Sequence, residues 1–312
     1  MTAYLLRRLW QMIPTLFGVV LLVFLLFKGF GGDPAEILGG LHATAAQVAA
    51  IRQELGLDEP LVQQFWIFLQ HVLTFDWGKS WATNESVAHL FATRLPATLT
   101  VMVPILVLES VLAIPLALGV AYVRGSLTDR TIMVLTTVAL SISFLVYVIV
   151  GQYVFAFELG LFPVQGWSDS LWTNLTRYAP LPVLLAVAVS LAPQTRLYRT
   201  FFLDELGHDY VRTARAKGLT ERTTLLRHVL RNALIPILTN VAVGLPGIFV
   251  GSFLLEVFFS IPGLGRELLL AVNRSDYPVI QAFAVYTAAI TMLVNLATDV
   301  LYKLVDPRVV LK

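Results

Sequence analysis

Ionisable side chains are missing from one long stretch of this chain after another, and that absence decides its fold class. Leu9 to Phe27 contains none and is preceded by Arg7 and Arg8. It matches the span of about 20 helical residues that a bilayer core requires. Comparable apolar runs, carrying at most one or two charged residues each, occupy 95–123, 131–157, 179–195, 233–259 and 279–305. With 57% hydrophobic and only 13% charged residues, the composition lies outside that of soluble domains. We therefore expect an all-α membrane protein with six transmembrane helices. A cleaved signal peptide would have a shorter apolar region followed by an Ala-x-Ala-like site. Lys28-Gly29-Phe30-Gly31-Gly32-Asp33-Pro34 follows instead, so the first run reads as an uncleaved span.

Between the first two spans, 31–94 is too long for a turn. Val48, Ile51, Arg52 and Leu55 fall on a helical pattern ending at Gly56, and Pro60 opens an amphipathic stripe of Leu61, Phe65, Phe68, Leu69 and Val72. Trp66, Trp77 and Trp81 place this segment at the headgroup level, where indoles are favoured. The interval is either an external platform for a solute-binding protein or a lid packed on the span ends. The second span is interrupted by Pro96, Pro104 and Pro115, and the fifth carries Pro236, Pro246, Gly244, Gly247 and Gly251. Prolines and glycines at depth are tolerated where neighbouring helices or a polar cavity satisfy the freed backbone, so the fifth span is a candidate cavity wall.

Six spans return both termini to one side. Of the 22 Lys and Arg residues, fifteen lie on the side of the termini, Arg196 to Arg231 prominent among them, and seven lie opposite. The richer side is expected to be cytoplasmic.

The long polar segment in the second half, Asp204 to Thr239, is placed by this count on the cytoplasmic side. Asp209, Tyr210, Arg212, Thr213, Ala214, Arg215, Ala216 and Lys217 form a first short helix, ended by Gly218 where a left-handed cap is needed. After Leu219, Thr220 is the N-cap of a second short helix with Leu225, Leu226, Val229, Leu230 and Ala233 on one side and Arg222, Arg227 and Arg231 away from them. Two short helices at a bend make a compact cationic knob. Charge bias alone accounts for the arginines but not for the spacing of Ala214 and Gly218.

At these residues the chain resembles the permease subunits of bacterial binding-protein-dependent ABC importers, whose cytoplasmic loop carries Glu-Ala-Ala, three residues and Gly. The matching positions are Arg212, Thr213, Ala214 and Gly218, so the glutamate and first alanine are absent. Asp209 to Leu219 and Arg227 to Pro236 are similar to the version found in the peptide/nickel subgroup. Gly32-Asp33-Pro34, Leu55 to Leu61, Ile261 to Arg266, Asp276-Tyr277-Pro278 and Asp306-Pro307-Arg308 extend the likeness over the chain. The resemblance implies a type I ABC importer permease fold: 1–30 as cytoplasmic N-terminus and first span, 31–94 as periplasmic loop, 95–305 as permease core with a coupling loop at 204–232, and 306–312 as cytoplasmic tail. It implies a bacterial inner-membrane location, a second homologous permease, two ATPase subunits docking on the coupling loop, and a periplasmic or lipid-anchored solute-binding protein. ATP and Mg would sit on the ATPase subunits, with no cofactor on this chain. Peptides are the expected substrates, with nickel, glutathione or another small solute as the alternative.

No Gly-x-x-x-x-Gly-Lys-[Ser/Thr], His-Glu-x-x-His or Gly-x-Ser-x-Gly occurs, and there is no cysteine. P-loop, zinc-protease and α/β-hydrolase chemistry are thereby excluded, and no catalytic or metal site is expected. A net charge of +2 gives no reason to expect a nucleic-acid partner. An ion-coupled carrier should show an internal repeat with broken helices, and none is seen. Ionisable groups in the spans are costly and default to function. Glu109, Gln152, Asn240, Glu256 and Asn295 are candidate pathway residues, or else satisfied groups bridging helices. Asp299, with Lys303 one turn on, reads as a packing group.

Overall fold

The computed structural model describes residues 2–40 and 42–305, with side chains from 6–40 and 42–300. In chain order the helices are α1 Thr2–Phe30, α2 Pro34–Gly39, α3 Ala45–Glu54, α4 Leu61–Leu73, α5 Val87–Tyr122, α6 Leu127–Ser141, α7 Phe144–Gly151, α8 Leu171–Thr173, α9 Pro180–Leu206, α10 Asp209–Ala216, α11 Glu221–Thr223, α12 Leu230–Val250, α13 Phe253–Phe258, α14 Leu264–Asn273 and α15 Tyr277–Val305. Wider π-type turns at Gln152–Glu158, Asn174–Tyr178 and Thr224–Val229 continue α7 and α8 and bridge α11 to α12. Among the described residues, the β structure amounts to one isolated bridge between Lys79 and Ser86. Among the described residues five helices are long and apolar enough to cross a membrane, and a sixth crossing requires α6 together with α7 and its π-type continuation to Glu158. The all-helical, multi-span expectation holds.

Several boundaries differ from the sequence expectation. The second span begins at Val87 rather than Leu95 and runs unbroken past Pro96, Pro104 and Pro115. At 1.5 Å per residue it is about 54 Å long, well beyond a hydrocarbon core of about 30 Å, so its first turns belong to the polar interval. The third apolar run does not form one rod. Ile142 is extended (φ −93°, ψ 129°), Ser143 caps α7, and the two halves meet at 90°. The fourth helix does not stop at Thr195 but carries Arg196 and Arg199 on to Leu206. The fifth ends at Val250, where Gly251 (φ 83°, ψ −178°) leaves helical space, and α13 follows separately. The interval 260–278 contains a helix of its own, α14. Asp306-Pro307-Arg308 lies outside the described residues.

The chain gathers into two compact units, 1–96 with 263–312, and 97–262. In the first, α1 runs along α15. Asp299 is held by Arg8 at 2.9 Å, a packing role with a partner other than Lys303, whose side chain is not described. α3 ends where Gly56 turns left-handed (φ 63°), and Pro60 precedes α4, as the pattern predicts. The stripe on α4 packs on α1, with Val72 buried against Val20 and Val285. Trp77 packs edge-on to Phe91 and Trp81 lies tilted against Tyr277, with ring centroids 5.4 Å apart in each case. Buried Asp276 accepts hydrogen bonds from the Ser80 hydroxyl (2.5 Å) and the N–H groups of Trp81 (3.0 Å) and Ala82 (3.3 Å). Its neighbour Tyr277 donates to the Gly31 carbonyl. The Asp276-Tyr277 pair thereby ties the interval after α4 and the end of α1 to the start of α15.

In the second unit, one apolar cluster gathers Ala97, Val101, Leu185, Leu255 and Ile261, and another gathers Ala113, Ala117, Tyr198, Phe202, Val211, Val229 and Ile237. The second cluster seats the polar segment.

Candidate functional site: the elbow between α9 and α12

α10 is short and polar, and it is held by two inward side chains. Val211 is fully buried and Ala214 nearly so, while Arg212, Thr213, Arg215, Ala216, Lys217, Gly218 and Leu219 are exposed. At its end the N–H of Gly218 donates to the Arg215 carbonyl (2.9 Å) and that of Leu219 to the Ala214 carbonyl (3.3 Å). That pair of bonds is the Schellman arrangement, which needs φ > 0 at the residue after the cap. Gly218 has φ 78°. The Ala214-to-Gly218 spacing therefore has a structural cause. Alanine at the inward position lets the last turn pack closely, and glycine four residues on reverses the chain.

Thr220 caps the next helix by accepting from the Thr223 N–H, as predicted. That helix is not a separate short piece. From Glu221 it continues through the π-type turn into α12, because neither glycine nor proline interrupts 221–235. The knob is thus one short helix folded back on the root of the fifth span. Arg215 closes the bend, its Nε and Nη2 donating to the two carboxylate oxygens of Glu221 at 2.9 and 3.2 Å. Tyr210 donates to Glu205 at the end of α9; burial and this bond push its hydroxyl up to about 12. Arg212 and Asp209 form a loose, exposed pair at 3.6 Å. The face left to solvent is cationic with apolar points: Arg212, Lys217, Leu219, Leu226 and Arg227.

Upstream, Arg199 in the last turns of α9 donates from Nε and Nη2 to both oxygens of Asp129, each at 2.8 Å. The Gly125 N–H adds a third bond to that carboxylate at 2.8 Å. This ion pair fastens α9 to the start of α6. No spacing along the chain relates these two residues; the one local signal is an acid in the first turn of a helix after Ser126, a capping residue.

The pathway candidates divide. Tyr198, fully buried and not singled out by sequence, donates to the side-chain oxygen of Asn240 at 3.3 Å. Glu109 stands half-buried on α5 of the same unit. Gln152 is committed to structure: its amide donates to the Val164 and Phe258 carbonyls at 2.7 and 3.0 Å. Glu256 is 1% exposed and accepts from Thr98 at 2.9 Å beside Gly251. Asn295, in the other unit, is exposed on α15. Among the described residues no group of His, Cys, Asp and Glu is arranged to hold a metal.

Helices long and apolar enough to cross a membrane, with a capped, cationic elbow between two of them, define a polytopic membrane protein. The chain belongs to the family of binding-protein-dependent transport system inner membrane components, whose model matches residues 113–311; the model of that family's N-terminal part matches 1–102. It is 37% identical over 309 residues to the glutathione transport system permease protein GsiC of Escherichia coli K12 and to that of Salmonella typhimurium LT2, covering 99% of both chains in each case. It is 34% identical over 332 residues to the di/tripeptide transport system permease protein DppB of Pseudomonas aeruginosa, again over 99% of both.

Proposed function

We propose that this chain is one permease subunit of an ATP-driven importer of dipeptides and oligopeptides. It would pair with a second, homologous permease, with two ATPase subunits on the cytoplasmic side and a periplasmic or lipid-anchored binding protein outside. The observation that carries the reading is full-length likeness to permeases whose named substrates are glutathione and di/tripeptides. Glutathione is the second reading, favoured by the 37% identity to its permeases. The excess of basic residues beside the termini supports a cytoplasmic elbow. ATP and Mg belong to the ATPase subunits, and no hydrolysis is assigned to this chain.

In this reading the exposed face of Arg212, Lys217, Gly218, Leu219 and Arg227 docks on the ATPase. Asp209, Thr213 and Ala216 flank it, while Tyr210, Ala214 and Arg215 hold the elbow's shape. ATP-driven closure would move the elbow as a solid piece, since α9 and α12 leave it without a flexible linker. Glu109 and Asn240 are the pathway residues retained.

Reconstitution with the partner subunits and binding protein tests this, measuring ATP-dependent uptake of a labelled dipeptide and of glutathione in separate vesicles. Uptake without the ATPase subunits, or of neither solute, would sink the reading. Gly218→Trp tests the docking face: nothing lies within 4 Å of a Cβ built at Gly218, so the strain is confined to its left-handed backbone. The variant should assemble with ATP turnover retained and uptake lost. Normal uptake by it contradicts the docking role.

A further inference from the structure

The first unit holds a cavity of about 680 Å³ walled by the last turns of α1, by α4, by residues 77–84 and by the start of α15. We propose that it binds a single anionic phospholipid, with one acyl chain inside and the phosphate at the rim.

Depth is the first argument. Phe65 of α4 packs edge-on to Phe17 and Phe24 of α1, with centroids 5.6 and 5.4 Å apart. Phe17 precedes the end of α1 at Phe30 by thirteen residues, about 20 Å of helix. α4 therefore does not cap the span; it runs beside it at the level of the hydrocarbon. Its outward face carries Leu61, Val62, Trp66 and Leu73, 58–81% exposed, alongside exposed Gln63, Gln70 and His71; that mixture suits a helix lying in the boundary between acyl chains and headgroups.

Chemistry is the second. The volume falls in the range of about 300–1,000 Å³ typical of sites for small molecules. Phe24, Phe68 and Val285 supply an apolar floor suited to methylenes, and Lys28 and Lys79 lie in the lining with His71. Glu54 is the one carboxylate in that lining. Among the described residues neither lysine is in a salt bridge, and Asp33, whose charge Lys28 feels, is already bonded by Arg52. Two lysines in the lining of a largely apolar cavity match a phosphate carrying an acyl chain.

The test is native mass spectrometry of the full-length protein extracted from membranes and exchanged into micelles holding equal phosphatidylglycerol and phosphatidylcholine. One phosphatidylglycerol per subunit should survive where phosphatidylcholine does not. Lys28→Ala/Lys79→Ala should weaken that occupancy by roughly fivefold per lysine. Gln281→Trp, which fills the cavity from α15, should abolish it. Millimolar inorganic phosphate or glutathione should leave the lipid in place. Equal retention of the two lipids, no retained lipid, or unchanged occupancy in both variants overturns the proposal. Displacement by inorganic phosphate alone would make it an anion site, and displacement by glutathione a solute site, and either refutes a lipid site. The wild-type comparison decides even where a variant does not fold.

Discussion

Replacing Arg199 with methionine should destabilise the protein far more than replacing Arg199 and Asp129 together. The side chains are 19% and 7% exposed, and two charge-assisted bonds of 2.8 Å join them. Removing one member of a buried pair strands the other, which costs about 3–5 kcal/mol, whereas replacing both by apolar groups is often close to neutral. Asp129 also accepts from the Gly125 N–H at 2.8 Å, so the double variant retains a penalty of about 1–2 kcal/mol for that lost bond. We therefore expect Arg199→Met to lose about 3–5 kcal/mol and Arg199→Met/Asp129→Leu about 1–2 kcal/mol. Denaturation of the detergent-solubilised chain in mixed micelles, followed by tryptophan fluorescence, measures both. Uptake should fail in both variants, since α9 is no longer fastened to α6. If the double variant loses as much as the sum of the two single ones, the pair is uncoupled and the reasoning is wrong.

Gly251→Ala should cost about 3 kcal/mol or more, since φ 83° with ψ −178° is nearly closed to other residues and a Cβ would lie 2.9 Å from Thr98 Cγ2 and against Glu256; a variant as thermostable as the parent refutes this. Arg215→Glu and Glu221→Arg should each impair uptake while changing stability by less than about 1 kcal/mol, the pair being 43% exposed on both sides. The double charge swap should restore transport, and an inactive swap would mean that Arg215 meets an acid on the ATPase instead. Burial alone would raise the Asp33 carboxyl, but the bonds from Arg52 and the Ala35 N–H outweigh it and hold it below the ordinary value. Stability from that pair is then present above the unfolded value of about 3.9 and is lost as pH falls through the lower folded one. Amide exchange in α2 and α3 should accelerate below about pH 4 in the parent and show no such step in Asp33→Asn; protection that rises on acidification would contradict the assignment.

Near neighbours along the chain set the number of apolar runs, the helix ends at Gly56 and Gly218, the start of α4 after Pro60, the cap at Thr220 and the elbow's place between two spans. Periodicity, capping and hydropathy act over a turn or two of helix, so they are written locally. Where rods bend and which charges meet depends instead on packing between distant segments. α5 passes three prolines intact while the third run breaks at Ile142, because supplying partners for freed backbone groups is the work of neighbouring helices and not of the residues themselves. Asp129 finds Arg199 seventy positions on, and Ser80 finds Asp276 across 196. Tyr198 and Asn240 meet from two helices, and α4 lies beside α1 instead of above it. Such pairings are set by packing, which brings together groups that no spacing along the chain relates.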